Sequence, residues 1–444
     1  MTPRSPCQRA GVALLALAIV PTFAAGADGL SGRLIVGYQG WFGCPGDFED
    51  NKSWQHWFDK DPGPQAFTVD MLPSTRELKP QDLCDTGLRR ADGQGTIKLF
   101  SSQDPNVVAL HFRWMRNHDI DAAAAQRFVV AIANPANRRR FDHVLKNVQS
   151  AAEQNERSFF VVYDISGANG DTVTEAVRRD WHHLVEDLQL TESAAYLKDH
   201  GKPVLELWGF GLRDRPGNPS EVAALIDDLK SGRQGLAAVT LIGGVPSYWR
   251  TLDRDSKGEP QWAEIYRAYD VISPWSVGRF TDESGADKFV RDTVIPDLNE
   301  TRRLGSRYLP VVFSGFSWSN LTTNRGKPRE AVLNRTPRHC GRFLWRQVAD
   351  LLQSHVSSLY VAMFDEVDEG TAIFPVETRS DTLPAGTQMV YLNEDGCFLP
   401  DDWYLRVAGA AAKYLHQGDV PPERLEALVK ALVASAPSNQ TLQK

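Results

Sequence analysis

One unit repeats along this chain: a short apolar run is followed by a stretch with helical periodicity. The apolar runs lie at residues 33–40, 120–128, 158–165, 203–210, 237–245, 271–277, 308–316 and 357–366. Continuous runs of this length are typical of strands buried on both faces of a parallel sheet. The helical stretches lie at residues 106–117, 138–153, 174–188, 220–230, 261–269, 286–304, 342–354 and 402–415. Eight strands that alternate with eight helices predict an α/β fold, a (β/α)8 TIM barrel.

An open, doubly wound sheet is the structural alternative. Such sheets usually have fewer strands and often carry a glycine-rich phosphate turn. No G-x-G-x-x-G motif opens a helix in this sequence. The pattern therefore favours the barrel.

A long excursion, residues 41–105, follows the first predicted strand. It is rich in aromatic and polar side chains, and no helical stretch begins before its end. Loops of this length inside a compact domain are usually functional. We therefore expect this aromatic-rich loop to form part of the site.

The N-terminus has the pattern of a secretory signal. Arg4 and Arg9 precede the apolar run 12–20, and residues 25–27 read Ala-Gly-Ala, as a cleavage site does. The run is short for a membrane-spanning helix, so an uncleaved anchor is the weaker alternative. The sequence predicts a signal peptide at 1–27, a barrel domain at 28–418 and a C-terminal helix and tail at 419–444. The predicted location is secreted or periplasmic.

The chain is acidic. Its formal net charge is −7, and removal of residues 1–27, which hold Arg4 and Arg9 and no acid, would make it −9. Nucleic acids and anionic membranes bind clusters of Lys and Arg, so we expect neither as a partner after signal cleavage. A glycan is compatible with this charge, and we expect a monomer.

Four cysteines lie beyond the predicted cleavage site: Cys44, Cys84, Cys340 and Cys397. An even number in an exported chain favours disulfides, although four cysteines permit three pairings. We favour Cys44–Cys84 with Cys340–Cys397, because each pair would staple one long loop region. Four free thiols are the alternative. No C-x2-C spacing points to zinc.

The carboxyl ends of the strands form the active-site face of a (β/α)8 barrel. This rule selects candidate site residues directly from the predicted strand ends and the loop that follows the first strand. The candidate catalytic acids are Asp164, Glu206, Asp365 and Glu366. The candidate substrate-binding residues are Tyr38, Gln39, Trp41, Trp54, His56, Trp57, Gln126, Arg127, Tyr163, Trp208, Trp275, Trp318 and Glu369.

This mixture of side chains suits a carbohydrate. Aromatic faces cover the C–H faces of sugars, and polar side chains satisfy the hydroxyl groups. Cleavage of a glycosidic bond normally uses two carboxyl groups, one as an acid and one as a base or nucleophile. We expect Asp164 to act with Asp365 or Glu366, and Glu206 to lie behind them.

Each candidate also has a structural interpretation. Glu206 lies inside an apolar run and could pair with Arg127 or another buried cation. Asp365, Asp368 and Glu369 could bind Ca²⁺ through oxygen ligands, and no other cofactor is expected. The aromatic side chains of the long loop could simply pack that loop.

Several motifs resemble those of the glycoside hydrolase family 71/99-like proteins. They lie at residues 38–42, 54–57, 69–73, 111–115, 120–121, 126–128, 163–167, 202–203 and 208–211. The stretch 364–371, Phe-Asp-Glu-Val-Asp-Glu-Gly-Thr, resembles the Asn-Glu-Trp-x-Glu-Gly-Thr signature that closes these barrels. Glu366 and Glu369 match that signature position by position. The resemblance extends over about residues 34–414.

The resemblance implies a (β/α)8 fold and action on glycans. Family 99 members are endo-acting α-mannosidases, family 71 members are α-1,3-glucanases, and proteins nearer to this chain are often labelled xylosidase or arabinosidase. The first hypothesis is therefore an exported glycoside hydrolase that acts on an oligo- or polysaccharide by a two-carboxylate mechanism. The second is a non-catalytic glycan-binding barrel, because the His-x-Glu-Pro-Tyr-like motif that carries the catalytic pair of family 99 enzymes is absent from this sequence, so that pair cannot be carried over.

Overall fold

The predicted barrel is present in the computed structural model, which describes residues 29–49, 51–327 and 330–434. The predicted signal peptide and the end of the tail, residues 435–444, lie outside the described residues. The strands are β1 (Leu34–Tyr38), β2 (Leu83–Arg89), β3 (Thr96–Phe100), β4 (Ala122–Phe128), β5 (Ser158–Asp164), β6 (Lys198–Asp199), β7 (Lys202–Trp208), β8 (Thr240–Val245), β9 (Val271–Pro274), β10 (Arg307–Tyr308), β11 (Val311–Phe313) and β12 (Leu359–Ala362).

Helices alternate with the barrel strands, and each predicted helical stretch contains a helix. The α-helices are α1 (Pro105–Asn117), α2 (Val129–Ile132), α3 (Pro135–Asn155), α4 (Val173–His182), α5 (Pro219–Ser231), α6 (Gln261–Arg267), α7 (Glu283–Phe289), α8 (Ile295–Leu304), α9 (Ser319–Asn324), α10 (Arg342–Gln353), α11 (Trp403–Gln417) and α12 (Val429–Ala434). A π-helical turn, His183–Asp187, extends α4, and another, Val290–Val294, joins α7 to α8.

The barrel strands are parallel and close into a ring. Strand β1 pairs with β4 on one side and with β12 on the other. Strands β10 and β11 are two halves of one stretch, which pairs with β9 at its beginning and with β12 at its end. Leu309 N donates to Ile272 O at 2.9 Å and Tyr360 N donates to Pro310 O at 3.0 Å. The seventh predicted strand is thus interrupted at Pro310, which has no N–H to donate.

Helix starts follow a simple local rule at three points of the barrel. Helices α1, α3 and α5 each begin with a proline that follows Asp104, Asn134 or Asn218. In each case the side chain of the preceding residue accepts a hydrogen bond from a backbone N–H of the first turn. Such a cap contributes about 1 kcal/mol, and proline is well suited to the first turn.

The long excursion after β1 contains the antiparallel hairpin β2–β3. The disulfide Cys44–Cys84 joins the start of the excursion to this hairpin, with the Cα atoms 6.4 Å apart. The second disulfide joins Cys340 to Cys397, with the Cα atoms 6.2 Å apart. Both predicted pairings are confirmed.

The segment after α11 packs on the outside of the barrel. Trp345 Nε1, from α10, donates to Pro422 O, and a guanidinium nitrogen of Arg406, from α11, donates to Leu432 O, both at 2.9 Å. The predicted C-terminal helix corresponds to the short helix α12, while the domain boundary at residue 418 stays a prediction. No helix in the described ranges combines the length and apolar character needed to cross a bilayer.

Candidate active site

A cavity of about 700 Å³ opens where the carboxyl ends of the barrel strands meet. We call it the central cavity. Its wall combines residues from the ends of β1, β4, β5 and β7 with residues from the loops that follow β8, β9, β11 and β12. The predicted site residues that line it are Gln39, Trp41, Gln126, Asp164, Trp208, Trp275, Trp318, Glu366 and Glu369.

Glu366 is fixed by two hydrogen bonds. Gln39 Nε2 donates to its Oε1 at 2.6 Å, and Thr371 Oγ1 donates to its Oε2 at 2.8 Å. The residue is only 7% exposed, and burial together with the charges of Glu369 and Asp368 raises its pKa. The two donors oppose this rise because they stabilise the carboxylate.

Glu369 lies three residues after Glu366 in the sequence and lines the same cavity. In the described part of the chain, no group donates a hydrogen bond to its side chain, which is half-buried. Burial raises the pKa of Glu369 to about 7; the charges of Arg325 and Arg215 lower the pKa, and that of Asp164 raises it. A carboxyl group with this pKa holds a proton near neutral pH and can donate it.

Asp164, at the end of β5, is the third carboxyl group of the cavity. Ser166 N donates to its Oδ1 at 2.7 Å. Burial raises the pKa of Asp164 to about 6, against the hydrogen bonds of Ser166 and the charge of Arg215. Three acids with raised pKa values thus share one cavity, an arrangement common at acid–base sites.

The turn that carries Glu369 is packed tightly against a neighbouring loop. Ser317 N donates to Glu369 O at 2.8 Å. Gly370 has a φ of +63°, and a Cβ added to it would lie 2.9 Å from Ser317 N. The buried guanidinium of Arg338 donates to Gly370 O at 2.7 Å and to Ala372 O at 2.8 Å. Glycine at position 370 therefore permits the turn that aims Glu369 at the cavity.

Asp70, from the long excursion, organises the loop that carries Trp318. Ser317 Oγ, Ser319 N and Asn320 N all donate to its carboxylate, at 2.5, 2.7 and 2.8 Å. The residue is fully buried, and these donors oppose the rise that burial causes in its pKa. The strand-end rule missed Asp70 because the residue does not follow a barrel strand. The motif at residues 69–73 was the available signal.

Asp365 does not line the central cavity. It is 0% exposed, and the backbone N–H groups of Gln39 and Gly40 donate to its carboxylate at 2.8 and 2.9 Å. These bonds tie the end of β1 to the end of β12. Both carboxylate oxygens of Asp365 are thus engaged by backbone N–H groups, away from the cavity.

Arg127 and Tyr163 also lie away from the central cavity. Arg127 is fully buried and forms ion pairs with Asp180 and, at 2.8 Å, with Asp142. The hydroxyl of Tyr163 donates to Asp180 at 2.7 Å. These groups satisfy one another between the barrel and α3 and α4, and neither Arg127 nor Tyr163 lines the central cavity.

Glu206, from β7, is buried among the barrel strands and is 2% exposed. It forms no ion pair with Arg127 or with any other described cation, so the predicted pairing is wrong. In the described ranges its Oε2 has no hydrogen-bond partner. Burial and the charge of Asp164 raise the pKa of Glu206 to about 8, so it is neutral at neutral pH.

The aromatic residues of the long excursion divide into two groups. Trp41 and His56 stack with their rings 4.1 Å apart, and His56 lines a second cavity of about 480 Å³ that shares Trp41 with the central one. Trp57 is fully buried and Trp54 packs against the core. Tyr38 is also buried, with its hydroxyl 3.0 Å from His111 Nδ1. Trp54 and Trp57 of the excursion and Tyr38 of β1 therefore line neither cavity.

Two further features bear on the chemistry of the site. Among the described residues, no group of His, Cys, Asp or Glu side chains could hold a metal ion, so the calcium interpretation receives no support. Six arginines that the sequence did not single out line the central cavity: Arg213, Arg215, Arg254, Arg279, Arg325 and Arg335. They lie on loops, where charge alone gives no indication of position.

The sequence matches no protein-family model and no curated protein. The structure is similar to that of the GH99 endo-alpha-mannosidase from Bacteroides thetaiotaomicron, with 17% sequence identity and a TM-score of 0.61. The similarity covers 88% of this chain and 99% of that one. A structure of the GH99 endo-alpha-mannosidase in complex with bis-tris propane gives 16% identity, a TM-score of 0.60 and the same coverage. Neither supports the xylosidase or arabinosidase label, and the comparison shows that this chain has the barrel fold of the GH99 endo-alpha-mannosidase.

Proposed function

We propose that this protein is a glycoside hydrolase whose catalytic pair is Glu366 and Glu369. The observation that carries the proposal is that both carboxyl groups, together with Asp164, line one cavity and have raised pKa values. Hydrolysis of a glycosidic bond needs one carboxyl group that donates a proton and one that accepts it. The fold shared with an endo-alpha-mannosidase supports the same reaction class.

The surroundings of the two glutamates assign their roles. Glu369 acts as the general acid, because its pKa of about 7 leaves it protonated near neutral pH and no described group donates to its carboxylate. It protonates the glycosidic oxygen as the bond to the leaving sugar breaks. Glu366 acts as the base, because the donors Gln39 and Thr371 stabilise its negative charge. It accepts a proton from the water molecule that attacks the anomeric carbon.

Asp164 has a supporting role in this scheme. Its negative charge raises the pKa of Glu369, which favours the protonated acid. Asp164 also lines the cavity, where its carboxylate can accept hydrogen bonds from sugar hydroxyls. This assignment changes the sequence-based pair, since Glu369 replaces Asp164 as the partner of Glu366.

The tryptophans of the central cavity form the sugar-binding walls. Trp41, Trp208, Trp275 and Trp318 line it. In the described part of the chain, the Nε1 atoms of Trp41, Trp208 and Trp318 are buried and lack a hydrogen-bond partner. Buried donors without acceptors are costly, and the hydroxyls of a bound sugar would supply those acceptors. The indole faces would cover sugar C–H groups.

An exported location is part of the proposal. Disulfides persist in oxidising compartments and are rare in reducing ones. This chain forms two of them, each across a long loop region of the barrel. The enzyme would then meet its oligo- or polysaccharide outside the cytoplasm.

The test is an assay for new reducing ends. Purified protein is incubated with a panel of α- and β-linked oligosaccharides and polysaccharides, and the variants Glu366→Gln and Glu369→Gln are compared with the parent. Glu377→Gln is the matched control, because Glu377 is half-buried with a pKa raised mainly by burial and does not line the cavity. Cleavage that survives both active-site substitutions refutes the assignment. Tight binding without cleavage in the parent favours the non-catalytic glycan-binding barrel.

A further inference from the structure

The wall of the central cavity carries an unusual concentration of positive charge. Arg213, Arg215, Arg254, Arg279, Arg325 and Arg335 all line it, although the formal net charge of the chain is −7. A neutral glycan can be bound by indole faces and a small number of polar groups, so a set of six arginines is more than such a ligand requires. The arginines therefore need their own explanation.

Neutralisation of the cavity's own acids explains only one of them. Arg279 forms an ion pair with Asp255 at 2.7 Å. Arg254 donates to the hydroxyl of Tyr248 at 2.6 Å and lies 4.3 Å over its ring. Within the described ranges, the other four arginines form no ion pair with a carboxylate. Their guanidinium groups are available to a ligand.

Arg215 and Arg325 are the two best placed of the four. Both line the central cavity and the second cavity that contains His56, so they lie where the two cavities meet. Arg215 is half-buried, its guanidinium lies 5.7 Å from the centre of the Trp208 ring, and its buried Nε has no hydrogen-bond partner in the described residues. A buried donor of this kind lacks only its acceptor.

The same two arginines lie close enough to two carboxyl groups of the cavity to act on them. Their charges lower the pKa of Glu369, and that of Arg215 also lowers the pKa of Asp164. Burial nevertheless keeps both values above the ordinary range. Glu369, with a pKa of about 7, is therefore partly protonated near neutral pH and offsets only part of the positive charge of the arginines.

We infer that the substrate is an anionic glycan, and that Arg215 and Arg325 bind a carboxylate or sulfate group of the sugar next to the site of cleavage. This inference rests on the proposed function, because it names the substrate class of that same site. A guanidinium group presents parallel N–H donors that match two oxygens of a carboxylate or sulfate. The Arg215 guanidinium lies 5.7 Å from the centre of the Trp208 ring, so a sugar residue bound by this arginine would lie next to the indole.

The test is calorimetric titration with matched acidic and neutral probes. Binding is measured both in the parent protein and in the Glu369→Gln variant, so that the result does not depend on whether Glu369 is the general acid or on its charge next to the two arginines. One pair of probes is an oligogalacturonate pentamer and its counterpart with carboxyl groups reduced to alcohols. The other is a chondroitin sulfate hexasaccharide and its desulfated counterpart. The two pairs distinguish recognition of a carboxylate from recognition of a sulfate.

We expect one acidic probe to bind at least tenfold more tightly than its neutral counterpart. Arg215→Gln and Arg325→Gln should each weaken that binding by about ten- to a hundredfold, as loss of a charged hydrogen bond does. Arg113→Gln, an exposed arginine on α1, should leave it unchanged. Raising the salt concentration should weaken binding of the acidic probe much more than that of the neutral one.

Three results would overturn the inference: equal binding of acidic and neutral probes, no binding of either acidic probe, or a preference that both arginine substitutions leave intact. Arg325 is exposed, so its replacement does not threaten the fold. The parent protein separates the two proposals. If the parent cleaves a neutral glycan at a rate that does not depend on Arg215 and Arg325, the proposal of an anionic substrate is wrong and the proposal of a hydrolase stands. If the parent binds an acidic glycan through these arginines but does not cleave it, the proposal of a hydrolase is wrong.

Discussion

Replacing Glu369 with glutamine should stabilise the protein while it lowers the activity. Burial, the largest cause, raises the pKa of this carboxyl group from its ordinary value of 4.5 to about 7. Each pKa unit corresponds to about 1.4 kcal/mol, so ionising Glu369 costs the folded state about 3 kcal/mol at high pH. Glutamine has nearly the same shape and no charge to desolvate. The variant should therefore have a higher free energy of unfolding than the parent.

The gain in stability depends on pH in a defined direction. Below pH 4.5 the carboxyl group is protonated in both the folded and unfolded states, and the substitution changes little. Between pH 4.5 and about 7 the unfolded chain loses its proton while the folded chain keeps it, so the stability of the parent falls as pH rises. Above about pH 7 the full difference of about 3 kcal/mol is present.

The activity of Glu369→Gln should fall, whereas its stability should rise. A general acid contributes about 10²- to 10⁴-fold to the rate, and glutamine cannot supply a proton. In the parent, kcat/KM should fall as pH rises through about 7, because Glu369 loses its proton there. That limb of the profile should be missing from any residual activity of the variant.

Urea unfolding at pH 5 and pH 8 checks the predicted change in stability, and the reducing-end assay checks the predicted loss of activity. Glu377→Gln, at the control position outside the cavity, should have the same activity as the parent at each pH. A stability difference that is the same at pH 5 and pH 8 would show that Glu369 titrates normally. Full activity in Glu369→Gln would remove it from the catalytic pair.

Other substitutions test the supports of the site. Gly370→Ala should lower stability by about 1–3 kcal/mol, because alanine is strained at φ +63° and its Cβ would meet Ser317; an unchanged urea midpoint would contradict this. Exchange of Cys44 and Cys84 for serine should cost about 2–5 kcal/mol and lower Tm, and an equal Tm would mean that the disulfide does not constrain the excursion. Trp41→Ala should raise KM more than it lowers kcat, because a stacked ring binds ground and transition states alike; steady-state kinetics decide.

The sequence predicted the barrel because burial on both faces leaves a continuous apolar run at each strand. The hairpin β2–β3 escaped this test. It includes charged residues such as Asp85 and Arg89 and is partly exposed, so its strands have no apolar run. The interruption at Pro310 was also missed, because hydrophobicity continues through it while hydrogen bonding does not.

The sequence placed the candidate site at the strand ends, where the central cavity lies, but it named only part of the cavity lining. The run at 357–366 suggested a strand that reaches Glu366, whereas β12 ends at Ala362 and the chain then turns. After that turn Asp365 points to the backbone of β1, while Glu366 and Glu369 face the cavity. Periodicity in a strand cannot describe residues beyond its end. The arginines likewise lie in loops, whose course depends on tertiary packing.

The pairing of β1 with both β4 and β12 has a consequence for how the molecule is made. Leu34 pairs with Leu359, so nearly the whole chain must be synthesised before the first strand gains its second neighbour. Until then one edge of β1 stays open to wrong partners, including other copies of the nascent chain. Contacts this distant in sequence form slowly. Once the ring is closed, each barrel strand has a neighbour on both sides. A circular permutant, in which the original ends are joined and new ends lie in another loop, should therefore reach the same fold.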